Sequence, residues 1–239
     1  MSGAGSVSII IPTYNEAENI VSTIRRAVCA LSSSSIKYEI LVVDDNSPDG
    51  TARIAGEALA GCGKVIIRIN RQRSLSLSVL EGIKQAAGDI ILVMDGDGNH
   101  PPEMIPALIA ALREGHDLAI ASRYVKGGRS QERLTRRMIS RFSCYLGRVV
   151  TGIKDNTSGF FCISKDKISL NLLAPVGFKI GLEIFVKSEA KSVAEIPFTF
   201  MSRIKGKSKL GAKVVMQYIY QLGRLLIYKN FVGICRYFQ

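Results

Sequence analysis

Two carboxylates, Asp95 and Asp97, stand two residues apart in Met94-Asp95-Gly96-Asp97-Gly98-Asn99, directly behind an apolar run. In extended chain such a pair points to one side. Like charges crowded at a strand end need a cation to compensate them. Hard oxygen ligands with open positions suit Mg²⁺ or Mn²⁺ carrying a diphosphate. The bland alternative is a solvated turn in which Asp and Gly play their ordinary roles. That is the commoner fate of an isolated D-x-D, and the position behind a fully apolar strand weighs against it. Asp44 and Asp45 form a second acidic pair behind another apolar run, and Pro12-Thr13-Tyr14-Asn15-Glu16 closes a third. Three neighbouring strand ends can converge on one nucleotide. Tyr14 offers a ring for stacking, and Glu16 and Asp45 can accept hydrogen bonds from a base or ribose. Carboxylates in such loops also serve simply to cap the next helix.

The elements that must hold these groups follow from periodicity. Val7–Ile11 is a β-branched run that Pro12 stops, and Asn15 is placed to cap a helix from Glu16 to Leu31. Tyr38–Val43, Lys64–Ile69, Asp89–Met94 and Asp117–Ala121 read as strands. They alternate with helices at Thr51–Leu59, Leu75–Ala87 and Pro102–Arg113. This alternation predicts an α/β fold with a mostly parallel sheet, helices on both faces and ligands beyond the strands' carboxyl ends. After residue 125 the pattern changes to a basic helix, Leu134–Thr151, a short strand, Gly159–Ser164, a helix, Leu182–Ser188, and a strand, Ala194–Phe200. The chain of 239 residues is long enough for one such domain, placed at 1–210, with a short C-terminal segment at 211–239.

The formal net charge is +12, and no Asp or Glu follows Glu195. A second basic stretch runs from Arg123 to Arg148 against the lone acid Glu132. Both stretches should attract polyanions, unless they are only solvated basic faces. Nucleic acid is disfavoured, because aromatics are not interleaved with the basic residues and no binding module is recognisable. The five cysteines are odd in number and form no C-x-x-C, so neither a zinc site nor a disulfide framework is expected, and a reducing compartment fits. The short apolar run at Ile9–Ile11 is not expected to be a signal peptide, and no stretch reaches the roughly 18 to 20 uncharged apolar residues of a spanning helix.

Six ordered motifs carry a resemblance. They are P-T-Y-N-E at Pro12–Glu16, V-D-D-N-S-P-D-G-T at Val43–Thr51, D-x-D-x-x-H-P-P-E at Asp95–Glu103, S-R-Y-V-K-G-G at Ser122–Gly128, S-G-F-F at Ser158–Phe161 and R-x-x-G-x-S-K-L at Arg203–Leu210. Together the chain resembles the dolichyl-phosphate (polyprenyl-phosphate) mannose synthases, family 2 glycosyltransferases of the GT-A fold. The resemblance implies that Pro12, Tyr14, Glu16, Val43 and Asp45 hold the guanosine of GDP-mannose. It implies that Asp95, Gly96, Asp97 and Asn99 surround a Mg²⁺ or Mn²⁺ and the diphosphate, with Asp95, Asp97 and Asn99 as the metal set. Arg123, Arg203 and Lys209 would neutralise phosphates, and Arg123, Arg136 and Ser140 would grip the acceptor phosphate. Asp97 and Arg203 would carry the catalysis. Three departures stand out: Asn99 replaces the family's glutamine behind two glycines, the Gly128–Arg136 segment lacks the family's aromatic, and the loop Asn70–Ser78 is more basic than the pattern.

On that reading an acceptor phosphate, already ionised, attacks the anomeric carbon without a general base, and the sugar carbon inverts. His100 and His116 are then structural, His100 ordering the loop beside the metal. Val215, Tyr218, Ile219, Leu222, Leu225 and Leu226 recur at helical spacing, which suits an interfacial helix as well as one packed on the core. The expected partners are GDP-mannose, dolichyl or polyprenyl phosphate and a membrane surface, with room for a membrane-protein partner, on the cytoplasmic face. The rival readings are a UDP-glucose-dependent transferase on the same lipid and a catalytically silent nucleotide or lipid binder.

Overall fold

Every residue of Val7–Thr13 is buried, and this run forms the first strand, β1, flanked by strands on both sides. A computed structural model of the chain describes residues 5–32, 34–69, 71–174, 176–201 and 212–237, the last stretch with side chains for 215–231. The remaining strands are β2 (Tyr38–Asp44), β3 (Gly63–Ile67), β4 (Ile90–Val93), β5 (Leu118–Ser122), β6 (Arg129–Ser130), β7 (Phe161–Ser164), β8 (Val193–Pro197) and β9 (Thr199–Phe200). The helices are α1 (Ile20–Ser32), α2 (Thr51–Leu59), α3 (Leu75–Gln85), α4 (Ile105–Arg113), α5 (Leu134–Thr151), α6 (Ile180–Lys187) and α7 (Ala212–Tyr237).

A seven-stranded sheet has the order β3-β2-β1-β4-β7-β5-β8. Its pairs are parallel except that β7 runs antiparallel to both β4 and β5. Alternate strand residues feed two cores. Val7, Ile9, Ile11, Ile40 and Val42 pack under α1, α2 and α4, whereas Ile10, Leu41, Val43, Ile91 and Val93 pack under α3 and α6. With both faces covered, these strands read as continuous apolar runs instead of alternating ones. A third, smaller core of Val150, Leu182, Tyr218, Leu222 and Leu225 seats α7 on α5 and α6. One face of the C-terminal helix is therefore part of the domain, while Met216, Ile219, Tyr220, Ile227 and Phe231 stay exposed. Among the described residues no helix is long and apolar enough to cross a membrane.

Several sequence expectations shift. β1 runs through Pro12 to Thr13 because β4 pairs only as far as Ile10, so the missing N–H falls where one side of the strand is unpaired. Asn15 does not cap α1. It takes a left-handed conformation at φ 58, a turn over Glu16–Asn19 intervenes, and the helix opens at Ile20. Prolines convert the start of the fourth helix into a 3-10 turn at Pro102–Met104. The expected last strand breaks at Phe198, and β9 leaves the main sheet to pair with β6.

Candidate active site

Sheet order reverses direction around β1 and β4, and the crevice beyond their carboxyl ends collects the loops that carry the motifs. Because β7 is antiparallel, its amino end lies at that same edge, which brings Asn156–Phe160 to the site. The resulting cavity of about 330 Å³ is lined by Asp95, Asp97, Asn99, Arg123, Glu132, Arg136, Ser140 and Lys179. The apolar Ile139, Phe142, Leu146, Phe178, Val215 and Ile219 line it as well.

The acidic loop is not extended, contrary to the simple D-x-D picture. It bends through Gly96–Gly98, and Gly98 sits at φ 80, a left-handed geometry that glycine adopts without strain. A Cβ on Gly96 would meet Thr13 at 3.2 Å and Ile11 at 3.3 Å, so the loop lies close against β1. Asp97 is buried and accepts from the Asn99 N–H at 3.1 Å and from the Asn99 amide at 2.8 Å. That leaves the Asn99 Oδ1 buried with no hydrogen-bond partner. A buried orphan carbonyl beside two carboxylates is a place for a cation, and the oxygen-only donor set fits Mg²⁺ or Mn²⁺. Among the described residues no group of three or more His, Cys, Asp or Glu is disposed to hold a metal.

His100 fastens this loop. Its Nδ1 accepts the Asp95 N–H at 3.0 Å, and its ring stacks on Phe160 at 5.2 Å, with Phe198 and Phe200 at its edges. Burial pushes its pKa down to about 4 despite the nearby Asp97, so the ring is neutral and acts as a structural acceptor.

Arg123 is held by residues that sequence reasoning did not single out. Asp155 accepts from its Nε at 2.8 Å and its second terminal nitrogen at 2.7 Å, and Thr157 Oγ1 accepts at 2.9 Å. Burial works against the guanidinium's charge, but Asp155's hydrogen bonds and charge outweigh it, and the pKa rises above the ordinary value. Asp155 is fully buried and is itself anchored by its N–H to Glu195 at 2.9 Å. Lys179, also missed, donates to the Thr157 carbonyl at 2.8 Å. Burial, then the neighbouring Arg123, lowers its pKa, while Asp95 and Asp155 pull the other way.

The expected base-binding residues lie at neighbouring strand ends and do not line this cavity. Pro12 and Val43 are register partners, and Val43 is fully buried in the core, so it can meet a ligand only through its backbone. Asp45 is buried and commits its oxygens to Arg68, to the Ser74 N–H at 2.8 Å and to Ser78 at 2.9 Å. Glu16 accepts from Asn19 at 2.8 Å, and the Tyr14 ring carries the Arg73 guanidinium 4.4 Å from its centroid. Arg203 and Lys209 lie outside the described residues. Met201 donates to the Asn99 carbonyl at 3.1 Å, so the chain lies beside the acidic loop at Met201.

Residues 8–169 match the profile of glycosyl transferase family 2. The chain is 44% identical over 225 residues to dolichol-phosphate mannosyltransferase of Pyrococcus furiosus, an alignment that takes in 92% of this chain but only 63% of that relative. It is 36% identical to dolichol-phosphate mannosyltransferase of Saccharomyces cerevisiae, over 93% of this chain and 87% of the other. It is 34% identical to polyprenol monophosphomannose synthase of Mycolicibacterium smegmatis, over 90% and 84%. Glucosyl-3-phosphoglycerate synthase of Mycobacterium tuberculosis, solved with Mn²⁺, UDP-glucose and glycerol 3-phosphate, superposes with a TM-score of 0.68 at 18% identity, over 94% of this chain and 80% of that one. That likeness places the fold among known GT-A architectures.

Proposed function

The chain belongs to glycosyl transferase family 2, and we propose that it transfers mannose from GDP-mannose to dolichyl or another polyprenyl phosphate, with inversion at the sugar carbon. The observation that carries this reading is the make-up of one cavity. Its lining combines the acidic, cation-ready loop at Asp95–Asn99, the basic Arg123, Arg136 and Lys179, and apolar side chains of α5 and α7. A nucleoside diphosphate, a phosphate and a hydrocarbon chain are complementary to those three sets of side chains. The names of the relatives at 34% to 44% identity favour mannose as the sugar and a polyprenyl phosphate as its acceptor.

Asp95, Asp97 and Asn99 would hold Mg²⁺ or Mn²⁺, which when bound would offset charge on the departing diphosphate. The protein's own groups do the rest. Arg123, fixed by Asp155, and Arg136 with Ser140 orient the acceptor phosphate, while Lys179 and, on the strength of the sequence motif alone, Arg203 and Lys209 would neutralise the donor's phosphates. A phosphate oxyanion attacks without losing a proton, so no general base is needed. The neutral His100 accepts the Asp95 N–H and is not available for that role. Tyr14, Glu16 and Asp45, with the backbone at Pro12 and Val43, would border the guanosine, and Gly96 would give the diphosphate close access to the backbone.

We assign the enzyme to the cytoplasmic face of a membrane, held peripherally. On α5, Leu134, Met138, Phe142, Tyr145 and Val149 form one exposed apolar stripe at spacings of three and four. Arg133, Arg136, Arg137, Arg141 and Arg148 flank it. α7 adds exposed Met216, Ile219, Tyr220 and Ile227 beside it. An apolar stripe rimmed by arginines suits an anionic lipid surface. The four cysteines described are free, in keeping with a reducing compartment. A panel of labelled nucleotide sugars offered with one polyprenyl phosphate tests the donor. Labelled lipid is expected from GDP-mannose, and lipid labelled from UDP-glucose in its place would overturn the assignment.

A further inference from the structure

Glu132 is the one acid in the basic stretch from Arg123 to Arg148, and the fold puts it inside the cavity. Its side chain is only 10% exposed. One carboxylate oxygen lies 3.1 Å from Arg136 Nε and the other 3.7 Å from a terminal nitrogen of Arg123. These are the cationic atoms left over at this point, since the Nε and other terminal nitrogen of Arg123 are taken by Asp155 and Thr157.

Neither contact is well made. At 3.7 Å the contact with Arg123 is beyond hydrogen-bond range. In the contact with Arg136 the N–H is not aimed at the carboxylate, and Arg136 Nε is buried without a hydrogen-bond partner. The contrast with Asp155 at 2.7 and 2.8 Å is sharp: one acid is locked onto Arg123, while the other lies between two guanidiniums and accepts a long hydrogen bond from Ser130 Oγ at 3.3 Å. Glu132 is carried on the short link between β6 and α5, where its own N–H reaches Ser130 Oγ at 3.3 Å.

Charge counting gives the seat a meaning. Arg123 and Arg136 balance the two acids in contact with them, Asp155 and Glu132, with Lys179 as a further cation nearby. A phosphate entering with Glu132 in place would meet a negative neighbour competing for the same two guanidiniums in a poorly solvated site, which is costly. If Glu132 leaves, the phosphate's oxygens can make the directed bonds that the carboxylate does not. We infer that Glu132 is an internal stand-in for the acceptor's phosphate: its carboxylate closes the arginine seat when the site is empty and must swing out before the acceptor docks. This rests on the acceptor assignment made above and adds a built-in competitor to it.

The test uses the full chain with GDP-mannose and a short-chain polyprenyl phosphate. Glu132→Gln, which keeps the shape and removes the charge, should lower the acceptor KM about 2- to 5-fold, the worth of one modest ion pair. The donor KM and kcat should hold, and Glu132→Ala should move the acceptor KM in the same direction. An unchanged acceptor KM, or a higher one with reduced kcat, would overturn the inference and make Glu132 a residue that merely orients the arginines. If the wild-type enzyme makes no lipid product, the functional reading fails instead. The stand-in is then judged by calorimetry with inorganic phosphate, which should bind the Glu132→Gln protein more tightly than wild type; equal or weaker binding would overturn it.

Discussion

Asp155 grips Arg123 through both carboxylate oxygens at 2.8 and 2.7 Å and also accepts the Arg123 backbone N–H at 2.8 Å. The acid is fully buried and the guanidinium nearly so, so neither charge can fall back on water. Removing one partner of such a pair typically costs about 3–5 kcal/mol. Asp155→Ala should lower the denaturation free energy by that order, read from urea unfolding, and should reduce turnover further in the protein that remains folded. A stability within experimental error of wild type would show that Arg123 does not depend on this acid.

How far this arrangement could be read in the sequence follows from what each signal encodes. α5 falls at the expected Leu134–Thr151, because its apolar and basic positions repeat helically and Gly152 stops it in a left-handed conformation at φ 76. Arg123 was visible because it stands in a motif behind a buried strand. Asp155 was not, since the pairing spans 32 residues and nothing local to Lys154-Asp155-Asn156 demands it. Lys179 sits in a stretch without periodicity or motif, and only the antiparallel turn into β7 brings Thr157 to it. That direction was equally hidden, because a four-residue apolar run reads the same both ways. The misplaced cap at Asn15 has a clear cause: its side-chain type suits a cap and a left-handed turn alike, and the turn won.

Lys179 is the site's cost in stability. Burial and Arg123 lower its pKa, so the unfolded chain holds this proton to higher pH than the folded one does. Stability should therefore rise with pH through the window below 10.5 into which the lowered value falls. Lys179→Met should remove that slope and raise the melting temperature at neutral pH, while lowering kcat/KM for the donor. A melting temperature that drops, with the alkaline slope retained, would contradict this account.

The exposed stripe on α5 predicts where lipid is touched. Phe142 is 64% and Met138 70% exposed, so charges there should leave the fold intact. Met138→Glu with Phe142→Glu should abolish flotation with vesicles containing anionic lipid and lower turnover on vesicle-borne acceptor roughly tenfold or more, given about 2 kcal/mol or more lost in burying two such side chains. Donor binding should be unaffected. Undiminished flotation would mean that another surface meets the membrane.

The proposed use of this cavity is tested most directly by following the lipid product made from GDP-mannose and a polyprenyl phosphate, with and without EDTA, for wild type and Asp97→Ala. Mannosyl lipid should form with Mg²⁺ or Mn²⁺, vanish with the chelator, return when metal is restored, and fall by about a hundredfold or more in the variant, as for the loss of a preorganised charge-stabilising group. Product formed at full rate in EDTA, or by Asp97→Ala, would contradict the assignment of the acidic loop and the mechanism built on it.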